Sequence, residues 1–326
     1  IFLNTYISMK HVFGVVMCLA VIFSSCGSNS SKSDDIKPKE VVSANKEVVT
    51  LALMPIVDCL PYYYAEERGY FERFGVSVKI ATYKSKLDCD TAIVGRSALM
   101  GYSDLFHAMM MSEGRKVSVV NSTQGGWSLL VNKSLRIKKT SQLSYKTTAI
   151  SRFSTEAYLL SSIPKTDEVL LPQVNDLYLR TSMVDNNQVD AAMLPEPFAT
   201  QCRMRGHKAI WAAVSANNFG CMLTADKVKG AEEEKKIIAI TKAYNMAVDS
   251  LNARNNMREN LSGILAKWGM QEFPVDSLHV PTYSHAASFK KEDIAAVSQF
   301  LRTGNCRFRS SGVLVNDGFC KKAETH

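Results

Sequence analysis

Beyond Phe23 the sequence contains no stretch long and apolar enough to cross a membrane, since a spanning helix needs ~20 apolar residues. It has no C-x-x-C, and its histidines do not fall at zinc-ligand spacing, so no structural metal site is expected. G-x-S-x-G, H-E-x-x-H and P-loop patterns are missing as well, which removes the commonest hydrolase, zinc-protease and nucleotide-binding signatures. Basic residues are scattered and never interleave with aromatics in an RNA-binding pattern, so no nucleic-acid partner is expected. These absences leave no catalytic set and imply no cofactor.

The N-terminus carries the clearest signal. Met9 is the expected start of translation, followed by Lys10 and His11, an apolar run from Val12 to Phe23, and Ser24-Ser25-Cys26. A short positive region, an apolar segment and small residues form the three-part pattern of a secretory signal over residues 1–25. Phe23-Ser24-Ser25-Cys26-Gly27 resembles a bacterial lipobox, which implies cleavage before Cys26 and acylation of that residue. Three acyl chains at ~0.8 kcal/mol per buried CH₂ would anchor the protein to a membrane. Residues 26–46 are Ser-rich and free of aromatics, and read as a flexible tether. Lys32 with Asp34-Asp35 resembles the Lys-acidic surface-display signal of Bacteroides-type lipoproteins.

About 280 residues follow, enough for one large domain or two ordinary ones. Hydrophobic content is 46% and charged content 21%, as in a globular protein. Loss of Lys10 with the leader lowers the net charge from +8 to +7. Of eight cysteines, Cys18 leaves with the leader and Cys26 takes lipid. The others are Cys59, Cys89, Cys202, Cys221, Cys306 and Cys320, an even set that suggests disulfides in an exported protein. Many pairings are possible; Cys202–Cys221 and Cys306–Cys320 suit the order of the elements.

Strand and helix patterns alternate from VVTLALM onward, which predicts an α/β fold with a largely parallel sheet. VSVKIA, ALMGY, VSVVN, SLLVN, TTAI, VLLPQV, IWAAV and FGCMLTA read as strands. Helices are expected after Pro61, from Asp88 or Asp90, after Ser103-Asp104, from Ser154, between Asp176 and Asn187, from Gly230 to Trp268, and from Glu292 to Leu301. The stretches Arg96–Phe106 and Asn187–Phe198 echo one another: each has an apolar strand ending in a polar turn that opens a helix. Two lobes built alike are expected.

The segments PYYYAEERGYFERFGVSVKIATY, GYSDLFHA and VDAAMLPEPFA resemble the type II periplasmic solute-binding proteins of ABC transporters. The nearest branch holds the aliphatic-sulfonate (SsuA), taurine (TauA) and NMT1/THI5-like receptors. Ala65, Gly69 and Phe71 match an A-x-x-x-G-x-F helix. Asp190 to Pro197 match a G-x-(V/I)-D-A-A-x-x-x-E-P turn in which Asn187 replaces the usual Gly. The resemblance spans Val48 to Phe300. It implies two parallel-rich α/β lobes with a hinge and a ligand cleft: lobe I over 47–131, lobe II over 132–222, and a return to lobe I over 223–326. It also implies that a small polar or anionic molecule is captured between the lobes and delivered to an ABC transporter permease by a monomeric protein. A ligand sensor, or a pyrimidine-synthase-like enzyme on the same fold, are the alternatives.

Ligands of open α/β sheets bind beyond the carboxyl ends of the strands, where helix N-termini favour polar and anionic groups. The candidates on lobe I are Asp58, Leu60, Pro61, Tyr62, Ser85, Asp88, Ser103 and Asp104. Between the lobes they are Gly125, Gly126 and Trp127. On lobe II they are Arg152, Ser154, Thr155, Glu156, Pro195 and Glu196. Trp127 suits an aromatic wall and Arg152 an anion clamp. Each also fits a structural role: Ser103, Asp104, Ser154 and Thr155 as helix caps, Arg152 in a surface ion pair, and one or more of Tyr62 to Tyr64 in the core. His107 and Met109 to Met111 read as structural.

Overall fold

Buried aliphatic residues make Val48–Leu53 a central strand, β1. The computed structural model describes residues 47–114, 116–164, 168–214, 219–253, 257–304 and 317–324; the leader, Cys26, the tether and Cys306 lie outside them. After β1, a 3-10 turn at Val57–Cys59 leads into α1 (Leu60–Glu67), with Pro61 in its first turn, where a missing N–H costs little. Gly69, at φ 67°, reverses the chain into α2 (Tyr70–Arg73) and then β2 (Ser77–Thr82).

Helix α3 (Lys86–Val94) is capped by Ser85, not by Asp88 or Asp90. Ser85 keeps an extended backbone and accepts from the Asp88 N–H, whereas both aspartates already lie inside the helix. β3 (Met100–Asp104), α4 (Leu105–Ser112) and β4 (Val117–Ser122) complete the first run.

The second run comprises β5 (Gly126–Val131), β6 (Thr148–Ala149), α5 (Thr155–Ser161), α6 (Leu177–Asp185), β7 (Ala191–Pro195), α7 (Phe198–Met204) and β8 (Lys208–Val214). VLLPQV forms only two isolated bridges, Thr147 to Leu170 and Ile150 to Gln173, because Pro172 interrupts the ladder. At the end of α6, Asn187 takes φ 57°, the left-handed conformation that Gly would supply. Its Oδ1 accepts from Asn132 Nδ2 and Ser134 Oγ, which hold the turn in place.

β9 (Gly220–Ala225) returns to the first sheet. Helices α8 (Gly230–Asn252), α9 (Met257–Lys267), α10 (Lys291–Thr303) and α11 (Asp317–Glu324) follow. Sheet I runs β2-β1-β3-β9-β4 and sheet II runs β6-β7-β5-β8. Both are mixed rather than largely parallel: β9 is antiparallel to β3 and β4, and β5 is antiparallel to β7 and β8. The returning strand inserts into sheet I from the opposite direction, which an alternation of strands and helices in sequence does not reveal.

The C-terminal helices pack on lobe I. Tyr62 of α1 lies 4.8 Å from Tyr244 of α8, and Tyr63 lies 5.1 Å from Trp268, ring centre to ring centre. Val297 and Leu301 of α10 join Leu105, Phe106 and Met109 of α4 in a second apolar cluster. Cys59, Cys89, Cys202 and Cys221 are buried thiols, so the Cys202–Cys221 disulfide is not formed. Cys202 is on α7 and Cys221 on the inserted β9, in different lobes; for the other suggested bridge, Cys306 lies outside the described residues.

The chain passes from sheet I to sheet II through Thr123–Gly125 and re-enters sheet I at Gly220. Asp58 is wedged between these crossovers. Its Oδ1 accepts from the hydroxyls of Tyr102 (3.2 Å) and Thr123 (3.4 Å). A Cβ at Gly125 would fall 1.8 Å from Asp58 Oδ2, and one at Gly220 would fall 2.7 Å from Oδ1. Glycine is therefore required at both positions by proximity to a buried carboxylate. Gly125→Ala should lower the unfolding free energy by about 3 kcal/mol, the upper range for overpacking. The double variant Asp58→Ala/Gly125→Ala should recover part of that loss in urea melts. No recovery would mean that the clash is not with Asp58.

Candidate functional site

The carboxyl ends of β1, β3 and β7 and the amino end of β5 converge on a cavity between the sheets. Met54, Ile56 and Tyr102 line it from lobe I, and Trp127, Leu177 and Pro195 from lobe II. Lys86, Glu156 and Arg180 supply its charge, with Ser151 and Asn175 beside them. Its free volume is about 10 Å³, near the minimum of ~10–15 Å³ that one water needs. A larger guest can enter only if the lobes move apart.

The small cavity reflects a buried ionic network. Lys86, in the first turn of α3, donates from Nζ to Asp104 Oδ2 and to Glu156 Oε2, both at 2.7 Å. Asp104 belongs to lobe I and Glu156 to lobe II, so one ammonium ties the lobes together. Asp104 makes a second bridge: its Oδ2 accepts from the Thr155 N–H (3.0 Å) and hydroxyl (3.3 Å). Its Oδ1 accepts from the His107 N–H and caps α4.

On lobe II, Arg180 is 0% exposed. It donates to Glu156 Oε1 at 3.3 Å, to Ser151 Oγ at 2.9 Å, and to the Val174 and Met193 carbonyls. The Lys86 head lies 5.5 Å from the centre of the Trp127 ring, within cation–π range. Trp127 Nε1 is buried and has no acceptor among the described residues.

Burial alone would neutralise every member of this network. It pushes the Asp104 and Glu156 carboxyls up, yet Lys86, with His107 for the one and Arg180 for the other, holds both below their ordinary range. Burial pushes Lys86 down, and the two carboxylates outweigh it and hold it above the usual lysine value. His107 likewise is raised: against burial, it gains from Asp104 and from Asp90, whose Oδ2 is 2.6 Å from Nδ1.

The sequence candidates are divided by the fold. Asp104, Trp127, Thr155 and Glu156 gather around Lys86. Ser85 and Ser154 cap α3 and α5, with Ser154 Oγ also donating to the Ser151 carbonyl. Ser103 is fully buried, and its Oγ has no partner among the described residues. Asp58 sits at the crossovers, and Gly126 opens β5. Leu60 and Tyr62 lie in the apolar core; the Tyr62 hydroxyl donates to Asn121 Oδ1. All three tyrosines, Tyr62 to Tyr64, are buried.

Glu196 faces Arg203 at 2.6 Å and the Thr200 N–H, away from the cavity lining. Arg152 is exposed and does not line the cavity; the buried guanidinium of this wall is Arg180. Lys86 and Arg180 carried no strong sequence signal. Lys86 follows a cap immediately beyond strand two, which is the one cue it offered.

A family model described as "NMT1/THI5 like" matches residues 57–253. No curated protein matches the sequence. Among solved structures, the ligand-binding component of an ABC-type import system from Staphylococcus aureus, solved with zinc bound, superposes with a TM-score of 0.69 at 10% identity, over 86% of this chain and 100% of that one. The periplasmic nitrate-binding protein NrtA from Synechocystis PCC 6803 gives 0.68 at 13%, over 85% and 88%. The alkanesulfonate-binding protein SsuA from Xanthomonas axonopodis pv. citri, bound to MOPS, gives 0.63 at 14%, over 82% and 96%. At these identities the likeness is one of fold.

Two outcomes follow from the network. Glu156→Gln leaves Lys86 and Arg180 short of a buried counter-charge and should cost about 3–5 kcal/mol in urea unfolding. Arg152→Ala should stay within ~0.5 kcal/mol. Because the Asp104 and Glu156 carboxyls are depressed in the folded chain, the stability they contribute is complete above their ordinary values of 3.8 and 4.5 and is lost as the pH falls through the folded values. Unfolding free energy measured against pH should therefore fall steeply below 4.5. The Glu156→Gln variant should show a shallower fall; an unchanged slope would remove Glu156 from that role.

Proposed function

The chain belongs to the NMT1/THI5-like family, and on that premise we propose that it is a lipid-anchored extracytoplasmic solute-binding protein. It captures a small polar or anionic molecule between two lobes and delivers it to the permease of an ABC importer. The observation that carries this reading is the convergence of side chains from both lobes on one buried point: Lys86 and Tyr102 from lobe I, and Trp127, Glu156 and Arg180 from lobe II. Each sheet brings its strand ends to the same cavity. The crossovers at Gly125 and Gly220 are the places where the lobes can pivot.

The structural neighbours support the same role, among them a nitrate-binding and an alkanesulfonate-binding protein. Binding rather than chemistry fits the side chains present. Burial pushes the thiols of Cys59, Cys89 and Cys221 well up, and Cys202 to about 12, so these sulfurs stay protonated and are poor nucleophiles. The acylated Cys26 and the tether would moor the body to a membrane while leaving the lobes free to move.

Native mass spectrometry of the domain purified without refolding should show a bound small molecule that leaves unmodified on denaturation. Trp127→Ala removes the aromatic wall and should weaken its retention by about tenfold, ~1.4 kcal/mol. A molecule released in chemically altered form would point to an enzyme instead.

A further inference from the structure

The buried network divides evenly between the lobes. Lobe I contributes Lys86 and Asp104, and lobe II contributes Glu156 and Arg180. Each pair is neutral by itself. Arg180 is held wholly by lobe II, through Glu156, Ser151 and the Val174 and Met193 carbonyls, so it stays in place when the lobes part.

The contacts that parting breaks are of two kinds. Lys86 Nζ loses Glu156 Oε2, and Asp104 Oδ2 loses the Thr155 N–H and hydroxyl. Opening therefore frees donors and acceptors together: a cationic donor on lobe I and hydroxyl and amide donors on lobe II, with a carboxylate on each side. Since the cavity holds no more than a water-sized volume, any guest enters by taking the place of these contacts.

A buried polar group is costly unless it is paired. A guest that lets the lobes close again must offer an acceptor to Lys86 and Thr155 and a donor to Glu156 and Asp104. A bare oxyanion meets the first requirement but lies against two buried carboxylates. A simple cation meets the second requirement but faces Lys86, with Arg180 behind Glu156. Only a guest without net charge leaves the enclosed network neutral. A flat ring suits the Trp127 wall, and an acceptor on it could engage Trp127 Nε1, which is buried with no acceptor among the described residues.

We propose that this cleft selects a molecule of zero net charge that carries both hydrogen-bond donors and acceptors, and that Lys86 and Glu156 are the residues that impose the selection. The inference rests on the cleft being the binding site of a receptor, and it narrows the polar or anionic guest of that reading to a neutral or zwitterionic one.

Four probes built on one phenyl ring separate the cases: benzoate, benzamidine, benzamide and phenylglycine, titrated at pH 7 and read by native mass spectrometry and calorimetry. Benzamide or phenylglycine should bind about tenfold more tightly than either ion; benzamide alone identifies a neutral guest and phenylglycine alone a zwitterion. Glu156→Gln leaves the network with one positive charge in excess and should raise benzoate affinity about tenfold. Lys86→Met should do the same for benzamidine.

Benzoate or benzamidine as the tightest probe of the unaltered protein overturns the selection while leaving the receptor reading intact. If no probe binds but the protein carries a guest from its expression host, the identity of that guest decides: a net charge at pH 7 overturns the inference, and none supports it. No guest and no probe would overturn the receptor reading, and this inference with it.

Discussion

The Lys86 ammonium is the point on which the two halves of this molecule depend. A lysine that is 5% exposed cannot remain charged without partners, and a lone carboxylate there would be equally costly. Lys86 solves both problems only when Asp104 and Glu156 arrive together, and they come from different sheets. The closed arrangement of the lobes and the ionisation of the network are thus one condition. The cation also covers the face of Trp127, so aromatic wall and ion pair are assembled by the same closure.

Other contacts across the lobes surround that point without repeating its logic. Tyr158 of α5 packs its ring 5.6 Å from Phe106 and 5.5 Å from Phe300, a lobe II side chain seated among lobe I aromatics. On the other side the Tyr178 hydroxyl donates to the Trp268 carbonyl, and the Leu177 N–H to the Lys84 carbonyl. At the crossovers, Gly125 and Gly220 lie too close to Asp58 to carry a side chain. Tight glycines at the crossovers and a buried polar seam are thus what join the two lobes.

The local elements were legible in the sequence where turn chemistry and periodicity agree. Ser154 caps α5 and Asp104 caps α4 as their positions predict, and Gly69 supplies the left-handed turn after α1. Legibility failed where a local signal had two meanings. Asp88 reads as a cap, but Ser85 takes that role because its backbone is still extended. Arg152 reads as an anion-binding arginine while Arg180 gives no such signal, and only the packing of α6 against β7 buries Arg180. VLLPQV reads as a strand, and Pro172 reduces it to bridges.

What the sequence by itself determined is local: the alternation of strands and helices, the caps, the N-terminal pattern ending at Cys26, and the motifs shared with a family of two-lobed proteins. Each of these depends on residues close together along the chain. The tertiary structure alone decided the antiparallel insertion of β9, the reduced state of Cys202 and Cys221, and the network in which Lys86 meets Asp104 and Glu156. In that network Lys86 meets residues 18 and 70 positions away, and the energy that selects it arises only when folding removes the charges from water.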